Sequence, residues 1–397
     1  MSSSSSSPRV GLALLALALG GFAIGTTEFA AMSLLPFFAP ELGISEPTAG
    51  HVISAYALGV VLGAPVLAVL GARQPRRRLL ILLMLGFALG NGLSALAPSY
   101  GWLLLARFLS GLPHGAYFGV GALVAASLVP PRKRAQAVSL MMLGLTVATI
   151  VGVPLANVLG QWAGWRWGFA LVSVLALMTA ALVSRQLPAG QALTGVGPWR
   201  ELGALARRQV WLTLGIGAVG FGGLFAVYTY LASTLLEVTA AGPSALPLAL
   251  GVFGLGMTVG TLVCAWLADR ALMPSVGGIL LWSAAALALY PWAAQRMATL
   301  LPVIFLIGCG GGLGAVLQTR LMDVAGEAQT LAAALNHSAF NAANALGPWL
   351  GGLAIAAGHG WTSTGWVGAA LALGGLLVWG VALADERYRP LTRQPAC

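Results

Sequence analysis

Twelve apolar runs, each roughly long enough to cross a bilayer as a helix, follow one another along this chain. They cover about 10–37, 48–71, 79–97, 101–128, 136–160, 166–186, 210–236, 245–268, 276–294, 299–320, 330–356 and 362–384. In hydrocarbon every backbone N–H and C=O must find a partner within the protein, so such runs form helices or a closed barrel. The alternation of a barrel strand is absent. A soluble fold is excluded by composition: 58% of the 397 residues are hydrophobic and 8% are charged, too little polar cover for a surface facing water.

The net charge of +10 does not point to nucleic acid, because the basic residues sit in short clusters between the runs. Alternate connections carry Arg73, Arg76, Arg77 and Arg78, then Arg132, Lys133 and Arg134, then Arg185, Arg200, Arg207 and Arg208, then Arg270 and Arg320. The opposite connections carry Arg166 and Arg296. An even number of spans places both termini on one side, and the basic bias makes that side the cytoplasm. Cys264, Cys309 and Cys397 are isolated, so neither a disulfide nor a metal site is expected. No phosphate loop, HExxH or EF-hand pattern occurs, which argues against an ATP-driven pump or an enzyme.

The chain reads as two related halves. The segment 58–73 aligns with 253–270, matching Gly59 with Gly256 and Gly63 with Gly260, and 151–160 aligns with 346–355. Internal repeats of this kind mark transporters, with the substrate site where the repeats meet. The expected architecture is an all-α polytopic membrane protein, with twelve transmembrane helices in two pseudo-symmetric six-helix bundles around a central cavity. Its parts are a disordered N-terminal tail (1–9), a first bundle (10–186), a central cytoplasmic loop (187–209), a second bundle (210–384) and a C-terminal tail (385–397).

Several motifs sharpen this. They are "GTTEFAAMSLLP" in the first span, "LGAPVLAVLGARQPRRRLL" after the second, "LLLARFLSGLPHGAYFGVG" in the fourth, "GLTVATIVGVPLANVLGQWAGWR" in the fifth and "ALGPWLGG" in the eleventh. On these residues the chain resembles the major facilitator superfamily. Within it, the resemblance is to the bacterial drug/proton antiporter branch of arabinose-type sugar efflux and chloramphenicol-resistance permeases. The branch's loop after the second helix usually holds an Asp; here that position is Ala72, the following Gly is Pro75, and an Asp–Arg pair stands instead at Asp269 and Arg270. The resemblance implies a monomeric secondary transporter of the bacterial inner membrane. It would exchange inward protons for outward drugs or sugars by alternating access, driven by the proton gradient and without a cofactor. Import by proton symport or facilitated diffusion is the alternative.

Ionisable groups at membrane depth are costly and point to function. Of the ten acids, Glu28 alone falls well inside a span. It precedes Pro36 by eight residues, about 12 Å along a helix, and Arg107 follows Tyr100 by seven, about 10 Å. Both lie at similar depth from the same side, so Glu28 and Arg107 are expected to share one hydrated polar site that takes and releases protons, with His114 two turns beyond Arg107. The competing reading makes Glu28 and His114 hydrogen-bonded packing residues and Arg107 a ligand of helix-end carbonyls. His337, Asn341 and Asn344 form one polar stripe at helical spacing. With Tyr56, Asn91, Tyr117, Tyr228, Tyr230 and Gln318 they are candidates for substrate binding, or for hydrogen bonding between helices. Arg73, Arg76, Arg77, Gly152, Pro154, Asp269, Arg270, Gly347 and Pro348 are candidates for gating and bending, although Arg73, Arg76, Arg77 and Arg78 are most simply topology and headgroup anchors, with a cytoplasmic latch as the lesser reading.

Overall fold

The computed structural model describes residues 7–71, 74–130, 133–187, 205–326 and 329–388. Among these there is no β-strand. Among the described residues eleven helices are long and apolar enough to cross a membrane. They are α1 (Val10–Ser33), α2 (Glu46–Leu67), α3 (Arg76–Ala95), α4 (Tyr100–Ser127), α5 (Gln136–Ala163), α6 (Trp165–Gln186), α7 (Arg208–Glu237), α8 (Pro243–Ala268), α9 (Leu272–Ala293) and α10 (Met297–Ala325), with α12 at Ser363–Arg387. Between the last two runs α11 (Gln329–Ala354), of 26 residues. It is long enough to cross, and its lower apolarity comes from Asn336, His337, Ser338, Asn341 and Asn344. The protein is a multi-pass membrane protein.

Several bounds differ from expectation. Helix already begins at Ser7, inside the expected tail. The first run is cut at Leu34, after which a short helix, Leu35–Glu41, turns away. Arg320 is a buried residue of α10 and not part of a loop. Its guanidinium is paired with Glu386 at 3.1 Å and donates to Gln209 Oε1 at 3.3 Å, which makes burial tolerable. Asp385, paired with Arg208 at 3.3 Å, and Glu386 therefore belong to α12 and not to a tail. Most of the central loop lies outside the described residues.

Helix contacts repeat between the halves. In the first, α1 packs on α5, α2 on α4 and α3 on α6; in the second, α7 packs on α11, α8 on α10 and α9 on α12. The repeat extends to atoms. A Cβ on Gly59 would lie 2.2 Å from Phe108 O, and one on Gly111 2.1 Å from Tyr56 O, so α2 and α4 touch backbone to backbone. In the second half, a Cβ on Gly256 would lie 2.3 Å from Phe305 O and one on Gly308 2.5 Å from Phe253 O. With lipid on the outside as apolar as the core, such close packing is a main source of helix association. Large apolar side chains such as Leu62, Leu89, Trp162 and Leu377 face outward, where lipid covers them.

The halves meet at the far end of the bundle, where α1 finishes. There Ser233 of α7 donates to the Glu46 carboxylate at the start of α2. Gln161 Nε2 of α5 donates to Pro243 O of α8 at 3.0 Å. Phe29 of α1 packs against Phe225 and Tyr228 of α7, with ring centres 6.1 and 5.2 Å apart. Midway, α8 crosses α5 so closely that a Cβ on Gly254 would lie 2.6 Å from Thr149 O.

At the same far end Glu41 fastens the start of α6. It accepts from Trp165 Nε1 at 2.6 Å and pairs with Arg166, whose Nη2 donates to Ala97 O at 2.9 Å. The Arg166 hydrogen bond holds the Glu41 carboxyl below its ordinary value. A carboxyl lowered on folding stabilises above its unfolded pKa and loses that contribution as pH falls through the folded one. Because the pair is well exposed, it is worth less than about 1 kcal/mol. Glu41→Gln is expected to lower the thermal midpoint slightly at neutral pH, with the difference vanishing in acid below the carboxylate range. A thermal melt in detergent at both pH values checks this.

Candidate functional site

Glu28 lies in the second half of α1 and is 7% exposed. Asn344 Nδ2 of α11 donates to its Oε1 at 3.1 Å. Since α1 and α11 belong to different halves, this hydrogen bond crosses the seam between the bundles. The ion pairs among the described residues are Glu41–Arg166, Arg208–Asp385 and Arg320–Glu386, so Glu28 has no cation at pairing distance there.

Arg107 is fully buried on α4 and reaches the residue beside Glu28. Its Nη1 donates to Thr27 Oγ1 at 2.9 Å and its Nη2 to Thr27 O at 3.4 Å. The guanidinium lies 4.3 Å from the Tyr56 ring centre and 5.2 Å from that of Phe169, so hydrogen bonds and π faces stand in for a counter-ion. Thr27 Oγ1 donates onward to Asn91 Oδ1 at 2.6 Å, and Asn91 Nδ2 to Phe87 O at 2.9 Å. One network thus joins α1, α3 and α4 next to the acid.

His114 Nδ1 lies 2.9 Å from the Tyr56 hydroxyl; the tautomer decides which atom donates. Across the seam, the His337 ring of α11 stacks on Phe118 at 5.2 Å and lies 6.2 Å from the His114 ring. Farther along α11, Asn341 Nδ2 donates to His337 O at 3.0 Å. The carbonyl oxygens of Asn341 and Asn344 are buried without a hydrogen-bond partner, as is the Tyr228 hydroxyl. Buried polar atoms without partners are uncommon and carry a cost, which a bound solute or water relieves.

Other sequence candidates are placed differently. The Tyr117 hydroxyl donates to Leu17 O at 2.9 Å and fills a notch at Gly20, fastening α4 to α1. Tyr230 donates to Pro348 O at 3.0 Å and ties α7 to α11. Gln318 is half-buried on α10.

Arg73 lies outside the described residues. Arg76 donates to Leu123 O at 3.4 Å and Arg77 to Ser184 O, so the start of α3 is clamped to the ends of α4 and α6. Asp269 and Arg270 are exposed at the end of α8. In α5 a π-helical turn, Ala148–Gly152, precedes Pro154. Proline lacks an N–H and breaks the regular ladder there. Gly347 lets α11 approach α7, since a Cβ on it would lie 2.2 Å from Gly222 O.

Thr27, Phe29 and Phe118 escaped the sequence reading. Thr27 had a signal, standing in the hydroxyl pair Thr26–Thr27 directly before the lone acid. The two phenylalanines had none, because an aromatic in an apolar run looks the same whether it faces lipid or the seam.

A family model described as Major Facilitator Superfamily matches residues 17–325 and 235–396. The inner membrane transport protein YdhP of Escherichia coli (strain K12) is 41% identical over 367 residues, covering 92% of this chain and 94% of that protein. A chloramphenicol resistance protein of Streptomyces lividans is 36% identical over 347 residues, covering 85% and 87%. Among solved structures, a bacterial homologue of the human lysosomal transporter Spinster, inward-facing and unoccupied, superposes with a TM-score of 0.71 at 19% identity, over 98% of this chain and 100% of that one.

Proposed function

The chain belongs to the Major Facilitator Superfamily, among its efflux-type members, and we propose that it exports small neutral molecules across the bacterial inner membrane in exchange for protons. It works by alternating access, as a monomer with both termini in the cytoplasm. The observation that carries this reading is the hydrogen bond from Asn344 to Glu28. A coupling acid must sense which side of the membrane is open. An acid on one bundle, bonded to an amide on the other, does so directly. When the halves part at the far end, Asn344 leaves Glu28, and a dry, amide-bonded carboxyl becomes a hydrated one. Protonation responds to both desolvation and hydrogen bonding, so the rocking movement and proton exchange are linked.

The same movement exposes the partnerless acceptors of Asn341 and Asn344 on α11, the helix whose His337 stacks on Phe118, and opens the Phe29–Tyr228 contact between α1 and α7. Acceptors in an apolar surround suit uncharged solutes that donate hydroxyl or amide hydrogens, which fits drug-like or sugar-like cargo. The relative named for chloramphenicol resistance supports the drug-like choice.

The test is transport in proteoliposomes with a panel of sugars, chloramphenicol-like amides and lipophilic cations under an imposed pH gradient. Exchange predicts solute accumulating against the direction in which protons flow. Accumulation along with protons would make the protein a symporter, and indifference to the gradient would remove proton coupling altogether.

A further inference from the structure

On the outward face of the second bundle, α8, α9 and α10 leave a groove of about 660 Å³ that the transport reading does not use. Its walls are apolar, with Val263, Leu267, Ile279, Trp282 and Phe305 among them. Arg270 is the one charged side chain that lines it, and Asp269, though next in the chain, does not. The lining runs from Val259 to Leu267 on α8 and from Pro274 to Trp282 on α9, and Arg270 and Ala271, in the connection between the two helices, close one end. Eight helical steps span about 12 Å, and the connection adds to that length. One leaflet of a hydrocarbon core roughly 30 Å thick is of similar depth. The groove therefore runs from headgroup level to the bilayer middle, with a cation at the headgroup end.

That cation is held in place. Arg270 Nη1 donates to Trp266 O at 2.8 Å and the guanidinium lies 3.4 Å from the Trp266 ring centre. This uses one donor of the five and leaves four, on a side chain that lines the groove. The first turn of α9 begins there as well, and its cap residue Ala271 supplies no side-chain acceptor for the opening N–H groups. Both features favour an anion at this spot, and the near end of the bundle, with Arg76, Arg77 and Arg78 at the start of α3, carries the basic residues that attract anionic lipid.

We propose that this groove binds one anionic glycerophospholipid, with an acyl chain along α9 and its phosphate at Arg270. The commitment to lipid, not to transported solute, follows from the lining: none of it comes from the first bundle, and Val263, Leu267 and Trp282 are exposed apolar side chains of the kind that lipid covers.

Delipidated protein in detergent, titrated with phosphatidylglycerol or with phosphatidylcholine of the same chains and read by native mass spectrometry, tests this. Wild type is expected to retain phosphatidylglycerol roughly fivefold better, the weight of one basic side chain at an anionic surface. Arg270→Gln brings the two lipids to parity. Gly278 lines the groove, and an added Cβ there meets nothing within 4 Å, so the side chain of Gly278→Phe starts from open space, occupies the groove and lowers retention of both lipids. Gly380, exposed on α12 with equally open space, provides the control: Gly380→Phe retains lipid as wild type does. A lipid preference that survives Arg270→Gln, or retention in Gly278→Phe equal to that of Gly380→Phe, overturns the site and assigns the bound lipid to the general annulus.

Discussion

Glu28→Gln is expected to abolish pH-driven accumulation of solute while leaving downhill solute exchange intact. Glutamine has the shape of glutamate, and its side-chain oxygen still accepts from Asn344 Nδ2, so the seam between α1 and α11 keeps its hydrogen bond. The amide cannot take up or release a proton in the physiological range. A gradient that drives wild-type protein should therefore move the variant at least tenfold less, whereas counterflow of labelled solute in the absence of a gradient continues at a comparable rate. Glu28→Asp, which keeps the acid and shortens its reach, should retain part of the coupling. If Glu28→Gln accumulates solute in response to pH as wild type does, the proton travels by another route and the role of the Asn344 bond is structural. If counterflow also fails, the residue is needed for the movement itself, and the separation of coupling from rocking is wrong.

Gly111→Ala should destabilise the protein by about 3 kcal/mol, at the upper end of the usual cost of overpacking. The added methyl would sit 2.1 Å from Tyr56 O and 3.1 Å from Val60 N, both backbone atoms of α2, so no rotamer change makes room. Relief requires α2 and α4 to separate. That displaces Gly59 from Phe108 O, and it moves Tyr56, whose ring covers Arg107 and whose hydroxyl meets His114. Transport should fail along with stability. Gly119, on the same helix, has nothing within 4 Å of an added Cβ, so Gly119→Ala gains helix propensity at no packing cost and should melt at or slightly above the wild-type midpoint. Thermal melts of both variants in detergent decide the matter; equal midpoints for Gly111→Ala and Gly119→Ala would show that the helices tolerate wider spacing than this structure gives them.

These expectations rest on features that were legible to different degrees. Depth along a helix is countable, which is what makes Glu28 and Arg107 candidates for one level, and in the structure Arg107 reaches Thr27, the residue beside Glu28. The face each side chain takes is not countable. Arg107 turned to Thr27 and two aromatic rings, and Glu28 took an amide from a residue 316 positions away. The polar stripe of α11 was visible from its spacing of four and three, but only the packing of the halves aims Asn344 at Glu28 and leaves Asn341 Oδ1 without a partner. Tyr117 and Tyr230 carried the same signal as Tyr56 and became fasteners to backbone carbonyls. Arg320 looked like a loop cation because its acidic partner Glu386 lies 66 residues on, on another helix.

By itself the amino-acid order settled that this chain spans a membrane many times as helix, that its halves repeat, and that one acid, Glu28, falls well inside an apolar run. It could do so because run length, polarity and repeat spacing are properties of the linear chain, and because hydrocarbon tolerates few backbone arrangements. Which helices touch, which face of each is turned inward, and which groups from opposite bundles come within hydrogen-bond reach were decided by tertiary packing alone. Those outcomes depend on close fits such as Gly111 against Tyr56 O, made between residues far apart in sequence, and no local pattern encodes them.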